Sequence, residues 1–356
     1  MQIVKDFVIK YNLERTPLAF AVSGGADSLA AVLIFHDLFP KLPIVALTVD
    51  HGLRPTSNQE ALFVADVMKK YGIEHHILYW GGEKPVSGIE EKAREARYNL
   101  LFNWCHEHSI YHLVLAHHLF DQAETFLMRL QRGTGIYGLA AMSEISVRDG
   151  ISLLRPFLNV HPRLFKDFLI AHHLQWVEDE SNQCSDFLRV KMRKFLPLLE
   201  KETGITPEKI AYVVRNLQNT KSFIEDTARH IIQTKIHQWG KSGFSFDFTE
   251  FLSWHPELKF YILGSLIKNI GELSYSPEAE SILSLIQQLE QKNCEKMTLG
   301  GCVILKANLK LWIVKEYRQN ASFASHCSWD DYIKKNPIFR GIYIPSLLKE
   351  ALLKEK

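Results

Sequence analysis

The chain has 356 residues, of which 46% are hydrophobic and 23% charged, and its formal net charge is +2 at pH 7. This length predicts two domains and a tail, and the composition is that of a globular protein rather than a disordered or fibrous one. The N-terminus carries charges throughout and no apolar run is long enough to span a membrane, which excludes a signal peptide and a membrane-spanning protein.

The first half of the chain alternates short apolar runs with helical periods. Predicted strands cover 18–22, 44–49, 75–80 and 112–116, and amphipathic stretches cover 58–71 and 89–108. This alternation predicts an α/β fold with a doubly wound parallel sheet and helices on both faces. Ligands of such sheets sit beyond the carboxyl ends of the strands, and the polar clusters below follow those ends.

The pattern changes in the second half. Pro197, Gly204 and Pro207 precede a long predicted helix at about 208–238, and a further helix covers 276–292. Alternating residues at 294–316 predict a small β-element. We therefore predict a domain over 1–205, a smaller and mainly helical C-terminal domain over 206–316, and a terminal segment over 317–356.

Two compositional features bear on partners and compartment. The cysteines are Cys105, Cys184, Cys294, Cys302 and Cys327. They are odd in number, and they form neither a C-x-x-C pair nor a set with zinc-ligand spacing, which predicts reduced thiols in a cytoplasmic protein. From 189 to 241 basic residues outnumber acidic ones, and this segment is either the footprint of a polyanion or a solvated helix face.

The strongest local signal is the loop SGGADS at 23–28, between a predicted strand and a predicted helix. Glycines let the backbone approach a ligand closely, serine hydroxyls donate hydrogen bonds, and the N–H groups of a helix start favour phosphate. Asp27 stands where the common phosphate loop would have a lysine, and we expect it to meet Mg²⁺ bound to phosphate. The predicted nucleotide ligands are Ser23, Gly24, Gly25, Ala26, Asp27 and Ser28.

SGGADS resembles the SGGxDS signature of the PP-loop ATPases. The resemblance implies cleavage of ATP into AMP and pyrophosphate, with the loop holding the departing pyrophosphate while an acceptor oxygen is adenylated. Enzymes of NAD synthesis, GMP synthesis and tRNA thiolation share this signature, so the loop implies the chemistry and leaves the substrate open.

Further stretches, in chain order, are similar to the tRNA(Ile)-lysidine synthetase family. They are VDHGLR (49–54), AREARY (93–98), LAHHLFDQAET (115–125), RGTGIYGLAAM (132–142), LLRPFL (153–158), WVEDESN (176–182) and RVKMRKFLP (189–197). The resemblance is close over 18–200 and looser to about 316. It implies a PP-loop ATPase catalytic domain over 1–205 and a tRNA-binding domain over 206–316.

The resemblance also implies the reaction. ATP, with Mg²⁺, would adenylate the C2 carbonyl oxygen of the wobble cytidine, position 34, in tRNA(Ile) with anticodon CAU. Free L-lysine would then displace AMP at C2 to form lysidine, which changes codon pairing from AUG to AUA. The expected partners are this tRNA and L-lysine, with no membrane. The oligomeric state is left open, with a homodimer as one alternative.

Several side chains suit these roles. His117, Asp121 and Glu124 share one helix face and offer an imidazole and two carboxylates to a base, an ammonium or a proton; the alternative is a surface helix with acids near its start. Arg94 and Arg97 share a face with Tyr98 and suit the charge of an α-phosphate. The alternative for these arginines is a Glu90–Arg94 pair on a solvated face.

Other candidates concern adenosine and RNA. Asp50 and His51 end a predicted strand, where adenosine contacts are expected. Arg132, Gly133, Thr134 and Gly135 form a loop that exposes backbone to RNA or is a plain turn. Arg189 and Arg193, four residues apart on one helix face, are candidate RNA phosphate contacts.

The chain departs from the family in two ways. Relatives usually carry two consecutive acids where this chain has Phe120 and Asp121, which puts the geometry for metal or lysine in question. Only about 40 residues follow 316, so we expect the second C-terminal domain of longer relatives to be shortened or absent. The alternative functions are a PP-loop tRNA thiolase, which the missing C-x-x-C disfavours, and a non-catalytic RNA-binding relic, which Phe120 favours.

Overall fold

The computed structural model describes residues 1–82, 88–178, 188–291, 296–316, 329–335 and 343–354. The family motif at 179–182, part of the predicted terminal segment, and Cys184, Cys294 and Cys327 lie outside these ranges. The chain divides into two compact units, Met1–Asn219 and Thr220–Lys356. The domain limits at 205 and 316, and the tRNA-binding role of 206–316, stay predictions.

The first unit contains the predicted strands and helices of the first half, each within a few residues of its expected limits. In chain order the elements are α1 (Gln2–Lys10), β1 (Leu18–Ala21), α2 (Ala26–Leu38), β2 (Ile44–Asp50), α3 (Ser57–Tyr71), β3 (Glu74–Tyr79), α4 (Ile89–Glu107), β4 (His112–Val114), α5 (Leu119–Gln131), α6 (Ile136–Leu139), β5 (Ile145–Arg148), β6 (Ile151–Leu154), α7 (Arg163–Ala171), α8 (Leu188–Thr203) and α9 (Pro207–Lys235), whose second half belongs to the other unit.

The sheet of this unit has the strand order β3-β2-β1-β4-β6-β5. All neighbouring pairs are parallel except β5 and β6, which pair antiparallel. From β1 the chain adds β2 and β3 on one side and then crosses to β4 on the other, so the strand order reverses between β1 and β4. The prediction of a doubly wound, mostly parallel sheet is confirmed.

Helices cover both faces of this sheet because the central strands are apolar on both sides. Leu18 and Phe20 face one cluster with α1, α2, α3 and α7, whereas Ala19 faces a second cluster with α4, as the two-residue period of a strand requires. Helix α2 is buried continuously from Leu29 to Phe35, since it lies between the sheet and α7. The start of α2 is thereby fixed at the strand ends.

The second unit joins helices to an antiparallel sheet of order β7-β8-β11-β10-β9. Its elements are β7 (His237–Trp239), β8 (Gly243–Asp247), α10 (Phe248–Ser253), α11 (Pro256–Ile270), α12 (Ala279–Glu290), β9 (Lys296–Leu299), β10 (Cys302–Ala307), β11 (Lys310–Lys315), α13 (Trp329–Lys335) and α14 (Ser346–Lys354). Strands β9 to β11 are the predicted β-element, which β7 and β8 extend beyond the sequence prediction.

The end of the chain belongs to the core of the second unit. Leu348 and Leu352 of α14 are buried with Trp239 of β7 and Trp312 of β11. The part of 317–356 that the structure describes therefore stabilises the antiparallel sheet. In the same described ranges, no helix has both the length and the apolar character needed to cross a membrane.

Candidate active site at the carboxyl edge of the parallel sheet

Four parallel strands end side by side in the order β2, β1, β4, β6, and a polar residue stands at each end. Asp50 is the last residue of β2, Ser23 comes soon after β1, His117 soon after β4, and Arg155 directly after β6. Adjacent strands lie about 4.8 Å apart, so these four ends span about 14 Å. The row is long enough for a ligand of nucleotide size.

The loop between β1 and α2 is shaped by its own serines and glycines. Ser28 Oγ accepts a hydrogen bond from the Ser23 N–H at 3.0 Å and donates one to the Gly25 carbonyl at 3.1 Å. Gly24 has a φ of +86°, and its carbonyl accepts the N–H of Val177 at 3.0 Å. Gly25 is the N-cap of α2 and no side chain caps the helix, so its first N–H groups are available to a phosphate.

Asp27 lies in the first turn of α2 with 42% of its side chain exposed. This carboxylate fits the predicted Mg²⁺, because nucleotide sites hold this ion with one or two carboxylates together with substrate phosphates. In the ranges that the structure describes, no group of three or more His, Cys, Asp or Glu side chains is arranged to hold a metal. An ion at Asp27 would depend on the phosphate oxygens of the ligand for the rest of its coordination.

His118, which the sequence analysis did not single out, joins this loop to α5. Its Nε2 lies 3.5 Å from Asp27 Oδ2, and its Nδ1 accepts the N–H groups of Phe120 and Asp121 at 3.2 and 3.4 Å. The His118 N–H in turn donates to Asp121 Oδ2 at 3.0 Å, which completes a capping box. Since Nδ1 accepts, the imidazole proton is assigned to Nε2, where it faces Asp27.

The acids near His118 affect its pKa more strongly than its burial does. Burial lowers the pKa of His118, but the hydrogen bond to Asp27 and the nearby charge of Asp121 act more strongly, and the net pKa is raised. On protonation Nδ1 can no longer accept from the backbone, and it instead faces Asp121 Oδ2 at 3.4 Å. In both protonation states His118 connects the two carboxylates.

Asp121 and Glu124 are buried and paired with two arginines of α8. Arg189 donates from Nη2 to Asp121 Oδ1 at 2.7 Å and from Nε to Glu124 Oε2 at 2.8 Å, and Arg193 Nε donates to Glu124 Oε1 at 2.8 Å. Burial raises the pKa of Asp121, but the charges of His118 and Arg189 outweigh it and hold this pKa below its ordinary value. The predicted lysine-binding acids and the predicted RNA-binding arginines therefore form one network.

His117 precedes α5, so the prediction that it shares a helix face with Asp121 and Glu124 is wrong for this residue. It acts with this network as a neutral imidazole. Its Nδ1 is buried and has no hydrogen-bond partner among the residues that the structure describes. The pKa of His117 is lowered to about 3, chiefly by burial and also by the charges of Arg155, Arg189 and Arg94, against the opposite effect of Asp121. A neutral imidazole with an unused nitrogen suits a hydrogen bond to a base.

Arg94 and Arg97 are brought together over one aromatic ring. Their guanidinium carbons lie 5.2 and 5.4 Å from the centre of the Tyr98 ring, and that of Arg148 lies 5.2 Å from it. Tyr98 is buried in the cluster under α4, so the ring is a fixed support for these cations. Burial lowers the pKa of Arg97, and the charge of Arg94 adds to this effect.

Asp50 and His51 stand at the β2 end of the row, where the sequence analysis expected adenosine contacts. The Asp50 carboxylate accepts the Gly52 N–H at 2.9 Å and lies 3.5 Å from the Asn58 amide nitrogen. Burial raises the pKa of Asp50, but hydrogen bonds from Ser57, Gly52 and Asn58 lower it below its ordinary value. His51 meets Trp80 edge to face with ring centres 5.9 Å apart.

The predicted loop from Arg132 to Gly135 lies at the other end of α5 from His118. Gly133 has a φ of +64°, and Thr134 Oγ1 donates to the Arg129 carbonyl at 3.1 Å. A helix of 13 residues is about 20 Å long. These residues are thus not gathered with the phosphate loop, and only a ligand as large as RNA could reach both ends of α5.

Phe120 is an apolar packing residue at the position of the missing acid. It packs against a buried cluster that includes Ala123, Leu196 and Val214, and its ring meets His161 edge to face at 5.1 Å. The position therefore joins α5 to α8 and α9 through apolar contact.

Sequence reasoning missed His118 and Arg155. The signal for His118 was its place between a strand end and a helix start, where a side-chain acceptor caps the helix. The signal for Arg155 was a charged residue inside the apolar run LLRPFL, which must be buried with the strand that it follows.

Comparison with known proteins gives three findings. The PP-loop domain family matches residues 2–199. A tRNA(Ile)-lysidine synthase of Wolbachia sp. subsp. Brugia malayi is 31% identical over 319 residues, which cover 88% of this chain and 74% of that protein. A tRNA(Ile)-lysidine synthase of Bradyrhizobium sp. is 37% identical over 315 residues, which cover 81% of this chain and 86% of that protein.

Among solved structures, the U34-tRNA thiolase NcsA of Methanococcus maripaludis, with its 4Fe-4S cluster, is similar with a TM-score of 0.52 and 17% identity. The match covers 62% of this chain and 76% of the thiolase. At this level of identity the similarity supports the PP-loop fold alone.

Proposed function

The chain belongs to the tRNA(Ile)-lysidine synthase family and contains its PP-loop domain, and from this premise we propose that it forms lysidine in tRNA(Ile). It is an enzyme of the ATP-dependent ligase class. The specific reaction that we assign joins L-lysine to C2 of cytidine 34 in the CAU anticodon, by way of an adenylated cytidine, with release of pyrophosphate and AMP. The product pairs with AUA in place of AUG.

The observation that carries this assignment is the contact between His118 and Asp27. It connects the phosphate loop to the helix that bears Asp121 and Glu124, at the point where the strand order reverses. A site that only bound nucleotide would need the loop alone. A ligase must place ATP beside two further reactants, and the acids and imidazole next to the loop supply groups for both.

We assign the first step to the phosphate loop and the arginines on Tyr98. The cytosine O2 attacks the α-phosphorus of ATP, and the bond to pyrophosphate breaks while residues 23–28 hold the leaving group. Arg94 and Arg97 stabilise the oxygens of the α-phosphate, where negative charge develops. Mg²⁺ at Asp27 would supply charge neutralisation for the phosphates. Asp50 and His51 lie where the adenosine is expected.

The second step belongs to the acidic network. The ε-amine of lysine attacks C2 of the adenylated cytosine, and the bond from C2 to the adenylate oxygen breaks to release AMP. Asp121 and Glu124 bind the cationic groups of lysine in exchange for part of their contact with Arg189 and Arg193. One of these carboxylates takes the proton that the attacking amine loses, and neutral His117 positions the base.

Two alternatives are less well supported. A thiolase requires reactive cysteines, and the five cysteines of this chain form no C-x-x-C pair. The two that lie in the described ranges, Cys105 and Cys302, are buried, and burial raises the pKa of each thiol to about 12, which suppresses the reactive thiolate. A non-catalytic relic is suggested by Phe120 alone. The loop, the acids and both pairs of arginines are all present, so the enzyme assignment is preferred.

The direct test is transfer of labelled L-lysine, with ATP and Mg²⁺, into an unmodified tRNA(Ile) transcript with anticodon CAU. A tRNA(Met) transcript with the same anticodon and an Asp27→Asn variant are the controls. We expect label in the isoleucine RNA alone and its loss in the variant. Release of AMP that depends on tRNA but leaves no label would contradict lysine as the nucleophile, and the absence of both would contradict the enzyme assignment.

A further inference from the structure

Arg155 is a buried cation with no acidic partner in the part of the chain that the structure describes. Only 8% of the residue is exposed. Its Nη1 donates to the Ser143 carbonyl at 2.9 Å and to Ser146 Oγ at 3.0 Å, and its buried Nε has no acceptor among the described residues. Both partners are neutral, and no ion pair joins Arg155 to an acid in these ranges.

The surroundings of Arg155 also disfavour its positive charge. Burial lowers the pKa of its guanidinium, and the charge of Arg94 lowers it further, while Tyr98 acts in the opposite direction. A buried charge without a counter-ion is costly, and proteins normally pair it or shift its charge state. Because a guanidinium stays charged at physiological pH, the described residues hold a buried cation here without an acid to balance it.

The position of Arg155 relates it to the candidate site. It follows β6, whose neighbour β4 leads to His117, and it stands in the row of strand ends with Ser23. The charges of Arg155 and of Asp121 both act on His117, with opposite effects on its pKa. An acid and a guanidinium that has no acidic partner among the described residues thus act on the same imidazole.

We propose that Arg155 binds an oxyanion of a small-molecule substrate. The choice of substrate rests on the proposed function, which offers two such groups, the carboxylate of L-lysine and the α-phosphate of ATP. The carboxylate fits better, because free lysine needs a cation as well as acids, whereas the α-phosphate already has Arg94 and Arg97 in the proposed reaction. A charged oxygen makes a stronger hydrogen bond to a guanidinium than the neutral Ser143 and Ser146 partners do.

The test compares L-lysine with lysinamide, in which a neutral amide replaces the carboxylate. Transfer rates into tRNA(Ile) are measured for the wild type, Arg155→Met and Arg155→Lys. The matched control is Arg163→Met, which removes an exposed arginine of α7 and should leave both rates unchanged. We expect Arg155→Met to lower kcat/KM for lysine by at least about tenfold, as the loss of one charge-assisted hydrogen bond implies, and to change lysinamide little. Arg155→Lys keeps the charge without the planar donors, and its kcat/KM for lysine should lie between those of the wild type and Arg155→Met.

The arms of the experiment separate the two oxyanions. A raised KM for ATP with unchanged preference for lysine over lysinamide would assign Arg155 to the phosphate and keep the oxyanion site. If Arg155→Met changes neither the preference for lysine over lysinamide nor the KM for ATP, the proposal is overturned. A lowered Tm in that case would mean that Arg155 serves only to stabilise β5 through its bond to Ser146. We expect the Tm of Arg155→Met to equal or exceed that of the wild type, since an apolar side chain suits the buried position better.

Failure of the proposed function is distinguishable from failure of this inference. Thermal stabilisation of the protein by L-lysine and by lysinamide is measured in parallel without tRNA. A wild type that binds lysine through Arg155 but transfers none would contradict the function and leave the oxyanion site standing. The inference alone is contradicted if the wild type transfers lysine and Arg155→Met has the same preference for lysine over lysinamide and the same KM for ATP.

Discussion

The Nε2 atom of His118 lies 3.5 Å from Oδ2 of Asp27, while Nδ1 of the same ring caps α5. One imidazole thus holds the candidate metal-binding carboxylate with one nitrogen and the start of the acidic helix with the other. A displacement of Asp27 should therefore shift the start of α5, and the reverse, because the ring is buried and has little room to turn.

The two functions of His118 can be separated by substitution. His118→Asn keeps an oxygen that caps α5, since Asn is among the best N-cap residues, but its shorter side chain does not reach Asp27. We expect the Tm to change little, kcat to fall by about 10- to 100-fold, and the Mg²⁺ concentration for half-maximal rate to rise, as for other residues that orient a ligand. Initial rates of lysine transfer against Mg²⁺ concentration measure both effects.

The comparison variant is His118→Ala, which loses the cap as well. It should lose about 1 kcal/mol of stability that the Asn variant keeps. A His118→Asn protein with the wild-type rate and Mg²⁺ dependence would show that the contact with Asp27 has no role in the reaction.

The phosphate loop should tolerate a methyl group at one glycine and not at the other. A Cβ at Gly24 would lie 3.2 Å from Val64 and 3.3 Å from Val177, and φ there is +86°, a conformation that costs an alanine about 1–2 kcal/mol. At Gly25 the nearest atom is 3.7 Å away and φ is −69°. We expect Gly24→Ala to lower the Tm and Gly25→Ala to leave it within the error of a thermal melt.

ATP binding then distinguishes strain from steric exclusion. Both variants should bind ATP more weakly, Gly24→Ala because the loop is displaced and Gly25→Ala because a methyl group projects beside the N–H groups of α2. Equal Tm values for the two variants would contradict the strain that we assign to Gly24.

Glu124 should matter both to the stability of the protein and to lysine transfer. Its carboxylate is fully buried and binds Arg189 and Arg193, whose side chains are 35% and 44% exposed. Breaking a fully buried pair costs about 3–5 kcal/mol, and the partial exposure of the arginines reduces our expectation for Glu124→Gln to about 1–3 kcal/mol.

The same variant tests the order of steps. We expect lysine transfer to fall far more than tRNA-dependent release of pyrophosphate, because adenylation does not require the lysine-binding acid. Glu200→Gln, an exposed change on α8, is the control for both measurements. Equal loss of the two activities in Glu124→Gln would mean that Glu124 acts before lysine does.

Phe120 should resist replacement by the acid that the sequence analysis expected at this position. Its ring packs against the buried cluster that includes Ala123, Leu196 and Val214, so Phe120→Asp places a carboxylate beside apolar side chains and should cost about 1–3 kcal/mol. Phe120→Leu keeps the apolar contact and is the control. An Asp variant as stable as the Leu variant in urea unfolding would show that the side chain at 120 can turn to solvent.

The sequence was enough to predict which strand ends and which loop form the candidate site, but not which of its charged side chains pair with each other. Strand ends and the phosphate loop were predictable because apolar runs and glycines act locally along the chain. The pairing of Glu124 with Arg189 was not, since the two residues are 65 positions apart and no periodicity relates a helix to one that packs against it later. The acids and arginines were therefore assigned to different ligands. In the second unit β7 and β8 were missed because no regular alternation of strands and helices surrounds them, unlike the equally short β1 and β4.

Stability should fall in mild acid because His75 is neutral in the folded protein. Burial, with the charge of His76 as a smaller cause, lowers the pKa of His75 from 6.5 to about 4. The unfolded chain therefore binds a proton between these values that the folded protein does not, and the free energy of unfolding decreases as pH falls from about 6.5 to 4. His117, with a pKa of about 3, acts in the same direction.

The variant that tests this is His75→Gln, which can keep the hydrogen bond with Thr48 Oγ1, 2.8 Å from the imidazole Nε2. Urea unfolding at a series of pH values should show a shallower decrease between pH 6.5 and 4 than in the wild type, with similar stability at pH 7.5. His230→Gln, at an exposed position on α9, should keep the wild-type slope. His117 remains in the variant, so part of the slope persists. Identical slopes in His75→Gln and the wild type would mean that His75 accepts its proton without unfolding, and NMR titration of its ring would then show a pKa near 6.5.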